Sequence, residues 1–202
     1  MISLNNIKYS YNNIKVLDNY SLKIKEEGIT VISGPNGSGK TTLLKIISKI
    51  IMPDSGTVEC VNNSIYDHLG FVFQRPVLLK RNVYENLSYI LKNNDYSDKD
   101  IKILIAKYLE KFFSKNLDMS NFMSKNIFEL SGGEQQLISL IRTLVSKPRI
   151  LFLDEPFTNL DDNHCEKLAS TFSKLSTEKC KIIMVTHKHS IANKISSDII
   201  SL

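Results

Sequence analysis

The 202 residues are 42% apolar, enough for one sizeable buried core, and carry 26 basic against 21 acidic side chains for a net charge of +5. The lysines are spread without a basic tail or arm, which argues for solvated faces and against a nucleic-acid partner, while anionic lipid or nucleotide contacts stay open. Cys60, Cys165 and Cys180 form no C-x-x-C pair, which argues against a disulfide framework or zinc site and for a reducing compartment.

Residues 2–33 read as short strands and turns: Ile2 alternates with Leu4, Asn12-Asn13 marks a turn, and Leu22 alternates with Ile24 before Gly28. The stretch Met1–Asn6 lacks a basic region followed by an apolar run, so no export signal is expected. Nowhere is there an unbroken apolar run long enough for a membrane span, so any transport role needs another polypeptide.

The apolar run Ile29–Ile32 predicts a buried strand, and Leu43, Leu44, Ile46, Ile47 and Ile50 fall at helical spacing. Between them, Gly34 to Thr41 fits G-x-x-x-x-G-K-[ST], a phosphate-binding loop placed between a strand and a helix N-terminus. Gly34, Asn36, Gly37, Ser38, Gly39, Lys40, Thr41 and Thr42 are the candidate cradle, whose glycines let backbone N–H groups curl around a polyphosphate. Lys40 is expected to reach the β- and γ-phosphates of a nucleoside triphosphate, and the Thr41 hydroxyl to ligate Mg²⁺.

The helix must stop before Pro53, and strands are predicted over Thr57–Val61 and Leu69–Phe73. From Arg75 to Lys147 the period turns helical: one helix from Asn82 to Leu91, a second capped by Ser97 and Asp98, a third opened by Ser131-Gly132-Gly133-Glu134. Strands return at Ile150–Leu153, Ile182–Thr186 and Ile199–Leu202. This alternation predicts an α/β fold: a mostly parallel core sheet, an N-terminal antiparallel β part and an inserted α-helical block. We expect one domain over 1–202, with a core of 1–74 and 148–202 and a helical subdomain over 75–147.

Two further stretches carry chemistry. Ile150–Leu153 is an apolar run ending in Asp154 and Glu155, as a buried strand delivering carboxylates to the active end of a parallel sheet would. Asp154 is assigned to the metal and Glu155 to the general base; the bland alternative is a strand ending at acidic turn residues. Ser131 and Glu134 stand in the S-x-x-E relation of a capping box, and a glycine-rich helix start is also an anion site.

Taken together, these motifs resemble the nucleotide-binding subunit of ATP-binding cassette transporters, over essentially the whole chain. Gly34–Thr42 resembles its Walker A motif, Ile150–Glu155 its Walker B, and Leu130–Glu134 its signature. Gln74 matches the Q-loop, Asn159-Leu160-Asp161 the D-loop, His187 the switch histidine, and Tyr11 the aromatic under adenine. There are departures: Glu134 stands where glutamine is common, Thr158-Asn159 replace Ser-Ala in the D-loop, and Ile29 follows Gly28 where an acid is common.

The resemblance implies a P-loop NTPase fold and a Mg²⁺-dependent ATP hydrolase working as a homodimer or pseudo-dimer. Each ATP lies between one chain's phosphate loop and the other's Ser131, Gly132, Gly133 and Glu134. Gln74 would touch Mg²⁺ and the attacking water, and His187 would hold the γ-phosphate or Glu155. The implied partners are a membrane permease and a solute-binding protein, with the chain cytoplasmic on the inner membrane face. The wording Gln74–Leu78 resembles ATPases of tungstate and molybdate importers. A soluble module of the same fold, acting in cell division or cluster assembly, is the alternative. The chain ends just after its last strand, where some importers carry a regulatory extension.

Other residues have plainer readings. His187 and His189 lack a third ligand at metal spacing, His68 and His164 are read as surface residues, and Phe112-Phe113 as packing. Val77, Leu78, Leu79 and Val83 suit either a groove for the permease or the subdomain core.

Overall fold

The protein is described by a computed structural model covering residues 1–93, 96–113 and 117–202. The N-terminal part is a ribbon longer than the short strands expected: β1 spans Ile2–Tyr11 and β2 spans Ile14–Ile24. Asn12 and Asn13 join them with φ of 47° and 64°, two successive left-handed residues that match the twist of a two-residue hairpin. Asn6 and Asn19 are also left-handed, and the pairing register shifts on either side of Ile7. These irregularities bend the ribbon without ending it. A third strand, β4 (Ser55–Cys60), pairs antiparallel with β1.

The second sheet is parallel and has the order β5-β6-β7-β3-β8. Its strands are β3 (Ile29–Ser33), β5 (Leu69–Val72), β6 (Ile150–Asp154), β7 (Lys181–Val185) and β8 (Asp198–Ser201). Alternation sorts β6 onto two cores. Ile150 and Phe152 face Leu43, Leu44, Ile46 and Ile47 of α1 (Lys40–Ile47) and the antiparallel sheet. Leu151 and Leu153 face the opposite cluster, with α5 (Gly132–Val145) and α6 (Asp162–Thr177). Both faces are covered, so β6 and β7 are buried from end to end.

Between β5 and β6 the described residues fold as helices. The first, α2, is shorter than expected, Val83–Ser88, and starts with a reciprocal capping box between Asn82 and Glu85. Leu91, placed on this helix by its spacing, reaches the core from a separate 3₁₀ turn. α3 (Asp98–Phe112) is capped by Ser97, and α4 (Met119–Ser124), which the sequence did not suggest, follows. A buried Asn86 organises the preceding loop: its side chain accepts from Leu79 N and donates to the carbonyls of Leu79, Arg81 and Asn82. Among the described residues no helix is long and apolar enough to cross a membrane.

Val83 is fully buried in the core and Leu78 packs against that core partly buried, while Val77, Leu78 and Leu79 line a 380 Å³ groove with Tyr89, Ile90 and Arg142. Arg142 donates from Nη2 to the Val77 carbonyl, holding the rim of that groove. Phe112 is buried, and Phe113 packs 4.8 Å from the Phe122 ring, as a packing pair should.

Candidate functional site

The phosphate loop leaves the carboxyl end of β3 and enters α1 through Gly39, whose φ of 93° is left-handed. A Cβ there would stand 3.0 Å from a Val16 methyl, so this position needs glycine both for its backbone and for its space. Gly37, at φ 80°, would point a Cβ into open space, so its backbone is accessible from outside. Ser38 Oγ is buried without a hydrogen-bond partner. The buried Lys40 donates from Nζ to the carbonyls of Gly34 (2.9 Å) and Pro35 (2.7 Å), so its charge is folded onto its own loop.

Two strands away, β6 delivers its carboxylates to the same end of the sheet. Thr41 Oγ1 donates to Asp154 Oδ1 at 2.9 Å, tying loop to strand. Burial pushes the Asp154 carboxyl up, against the Thr41 hydrogen bond and the charges of Lys45 and Lys40. Glu155 follows with a left-handed φ of 50°, its N–H bonded to Val185 O on the neighbouring strand. Burial likewise pushes its carboxyl up, the direction that suits a base at neutral pH. Glu155 Oε2 accepts the His187 N–H at 3.2 Å; Oε1 makes no hydrogen bond, although His187 Nε2 lies 3.3 Å away.

A cavity of 510 Å³ is lined by Asn36, Gly37, Gly39, Lys40, Thr41 and Thr42 of the loop, with Gln74, Glu155 and His187. Val16 of β2 and Val185 complete the wall, two apolar residues with no motif to announce them. The cavity suits a triphosphate, with the Lys40 ammonium and open backbone at Gly37 in its wall; Gly34, Ser38 and Asp154 are not among its lining residues. It also suits a hard divalent cation, because Thr41 and Asp154 offer oxygens at one point with Gln74 nearby. Tyr11 sits at the end of β1, 65% exposed and outside this lining.

The signature residues lie elsewhere. Ser131 caps α5 in the expected box, with Glu134 N donating to Ser131 Oγ and Glu134 Oε2 accepting from Ser131 N. Ser131, Gly133 and Glu134 line a separate 380 Å³ cavity with Asn159, Leu160, Asp161 and His164, and none of its lining is shared with the first. Gly132 is exposed beside it. A Cβ on Gly133 would stand 2.7 Å from Asn159 O, so signature and D-loop segments are in close backbone contact. His68 is exposed as expected; His164 is only partly exposed. It is half-buried because its ring bridges Asp161 Oδ2 and the Phe112 carbonyl.

A phosphate loop between strand and helix, facing an acidic pair at the end of a parallel strand, defines a P-loop NTPase. Residues 17–158 match the ABC transporter family, and the chain belongs to it as an ATP-binding, ATP-hydrolysing subunit. It is 37% identical to the tungstate uptake system ATP-binding protein of Peptoclostridium acidaminophilum, over 100% of this chain and 94% of that protein. It is 35% identical to the sulfate/thiosulfate import ATP-binding protein of Mesostigma viride, over 98% of this chain but 58% of that relative's length. Among solved structures it is similar to a dimeric ATP-binding cassette in a post-hydrolysis state bound to ADP and Pi. That match has a TM-score of 0.84 and 28% identity, over 100% of this chain and 94% of the other.

Proposed function

We propose that two copies of this chain, or this chain and a second cassette, close around MgATP and drive a separate membrane permease that imports a tungstate- or molybdate-type oxyanion. The observation that carries the dimeric reading is the separation of the two cavities. The phosphate loop and the capped start of α5 each offer anion-binding groups, yet within one chain they serve different spaces. A head-to-tail pair would bring them together on one triphosphate, and the similar solved cassette is dimeric.

In this reading Lys40 swings from the carbonyls of Gly34 and Pro35 to the β- and γ-phosphates. Thr41, Asp154 and Gln74 would hold Mg²⁺, which when bound would neutralise phosphate charge. Glu155 Oε1, free of hydrogen bonds, takes the proton of the attacking water. The new bond forms from that water to the γ-phosphorus, and the bond from the γ-phosphorus to the β–γ bridging oxygen breaks, leaving ADP and phosphate. His187 holds Glu155 in place through its N–H, and Tyr11 receives the adenine ring. Ser131, Gly132, Gly133 and Glu134 of the second copy close over the γ-phosphate. ATP contacts both halves only in the closed state, so binding favours closure and hydrolysis releases it.

Residues 75–147 then act as the subdomain that conveys this closure, and the groove at Val77, Leu78 and Leu79 beside Gln74 receives the permease. The chain would work at the cytoplasmic membrane face, with a solute-binding protein delivering cargo. The oxyanion assignment is supported by the tungstate relative, which matches along nearly its full length. The test is reconstitution in proteoliposomes with a multi-span permease that co-purifies with it and a solute-binding protein. We expect ATP turnover stimulated by tungstate and not by sulfate. Stimulation by neither, with stable recovery only on a soluble partner, would overturn the transport reading.

A further inference from the structure

Of the nine phenylalanines in the chain, eight are buried or partly buried, whereas Phe128 is 69% exposed. One apolar side chain on a surface is ordinary; the address of this one is not. It stands in a 3₁₀ turn, Ile127–Glu129, three residues before Ser131 and so within about 10 Å of it along the chain. Buried residues anchor the turn on both sides, Ile127 at 2% exposure and Leu130 at 6%. Ile127 N donates to Arg81 O at 3.1 Å, and Asn126 Oδ1 accepts the Phe128 N–H at 3.1 Å. Leu130 O accepts from Gln135 Nε2 at 3.0 Å, which ties the turn to α5. The backbone thus holds the ring outside, as a fixed part of the capped start of that helix.

We propose that Phe128 is a base-contact residue of the shared site: when two copies close, its ring stacks on the face of the adenine that Tyr11 of the other copy leaves open. The inference rests on the proposed dimer and on the proposed place of adenine at Tyr11. Among the described residues four aromatic side chains are exposed: Tyr11, Tyr89, Tyr96 and Phe128. Tyr89 lines the groove at Val77, and the Tyr96 ring lies 6.0 Å from the Lys147 ammonium. The other two fall one on each half of the proposed site. Tyr11 ends the strand paired with β2, which brings Val16 to the phosphate-loop cavity, and Phe128 leads into the signature.

A planar base has two π faces, and one aromatic ring covers one of them. The phosphate-loop cavity has no Phe or Tyr in its lining, so a cover for the second face has to come from the closing copy. The signature is open on the Phe128 side. Gly133 is closed off by Asn159 O, 2.7 Å from where its Cβ would stand, while Glu129, Ser131 and Gly132 are exposed together with Phe128. A nucleotide whose γ-phosphate rests on Ser131 therefore has room for its sugar and base toward Phe128. Stacking on an aromatic ring is worth about five- to 150-fold in affinity and is indifferent to which base is stacked. Phe128 adds hold on the nucleotide and no choice among bases.

The chain has no tryptophan, so F128W places a sole indole at this position. In the full-length chain carrying Glu155→Gln, MgATP should quench that emission over the range in which the dimer appears by size exclusion. MgADP, which lacks the γ-phosphate that Ser131 meets, should not. In the same background the MgATP concentration for half-dimerisation should rise about tenfold in F128A and return to within about twofold in F128Y. It should stay raised in F128L, because leucine keeps the apolar bulk and loses the π face. MgGTP should give the same order. A dimer that forms in F128A as readily as with Phe128, or an indole that MgATP leaves unquenched while the dimer forms, overturns the inference and leaves the dimer standing. Restoration by leucine as complete as by tyrosine also overturns it, since the ring then meets protein and not the base. Absence of any MgATP-dependent dimer with Phe128 in place overturns the shared-site reading, and this inference with it.

Discussion

Glu155→Gln isolates the proton acceptor from everything else the side chain does. Glutamine keeps the length and one carbonyl oxygen, which can still accept the His187 N–H now held at 3.2 Å. It removes a charge that burial disfavours, so folding loses nothing and the variant should melt no lower than the wild type. A positioned general base is worth about 10²–10⁴ in rate, so kcat should fall by that factor, about 3–5 kcal/mol of barrier. On the proposed roles ATP affinity rests on Lys40 and the loop, and should not fall. Binding without turnover predicts a persistent dimer, read by size exclusion in MgATP beside a steady-state phosphate-release assay. Turnover within about tenfold of wild type would assign the base elsewhere. Loss of ATP binding would mean that Glu155 holds the site together and that the proton argument is wrong.

Lys40→Ala removes an ammonium lining the cavity and leaves the Gly34 and Pro35 carbonyls without their donor; ATP affinity by calorimetry should drop at least about tenfold, and an unchanged affinity refutes its role. Gly133→Ala drives a methyl to 2.7 Å from Asn159 O, so the D-loop or α5 must shift; we expect a melting loss worth about 1–3 kcal/mol and lower turnover, with ATP binding intact. Wild-type melting and turnover in this variant would show that the contact has no consequence. Lys181 is buried, donating to Glu27 O and Thr30 Oγ1, and burial lowers its ammonium from an ordinary 10.5 to about 8. Between those values the unfolded chain holds a proton that the folded one has released, so stability rises with pH. Relative to K181M, the wild type should gain about 3 kcal/mol between about pH 8 and about pH 10.5 in denaturant titrations. A gap that does not change with pH refutes this.

What the sequence made legible was contiguous. Gly34–Thr41, Ile150–Glu155 and Ser131–Glu134 each put their chemistry within a few residues of a strand end or helix start, where local geometry dictates position. Gln74 and His187 were reached only through resemblance, since a lone glutamine or histidine after an apolar run has no pattern of its own. Asn86, His164 and Lys181 stayed hidden because their partners are remote or backbone: Asn86 binds three carbonyls, His164 reaches 52 residues back to Phe112, and Lys181 meets Thr30 151 residues away. The N-terminal strands were underestimated for a related reason. Nothing in the spacing of apolar residues shows that left-handed Asn6 and Asn19 sit within a continuing ribbon as bulges.

One alignment within the parallel sheet bears on how such an engine can be governed. Val185 pairs with Asp154 on one side and with Ile32 on the other, so a single rung spans the strand that feeds the phosphate loop and the strand that carries the acid. Glu155 then extends the same ladder through its N–H to Val185 O. Parts riveted to a common beam cannot be throttled by sliding past each other. On the proposed shared site the throttle is the arrival of what lies outside the beam, and each protomer is half of a lock that is cut in advance and waits for its other half.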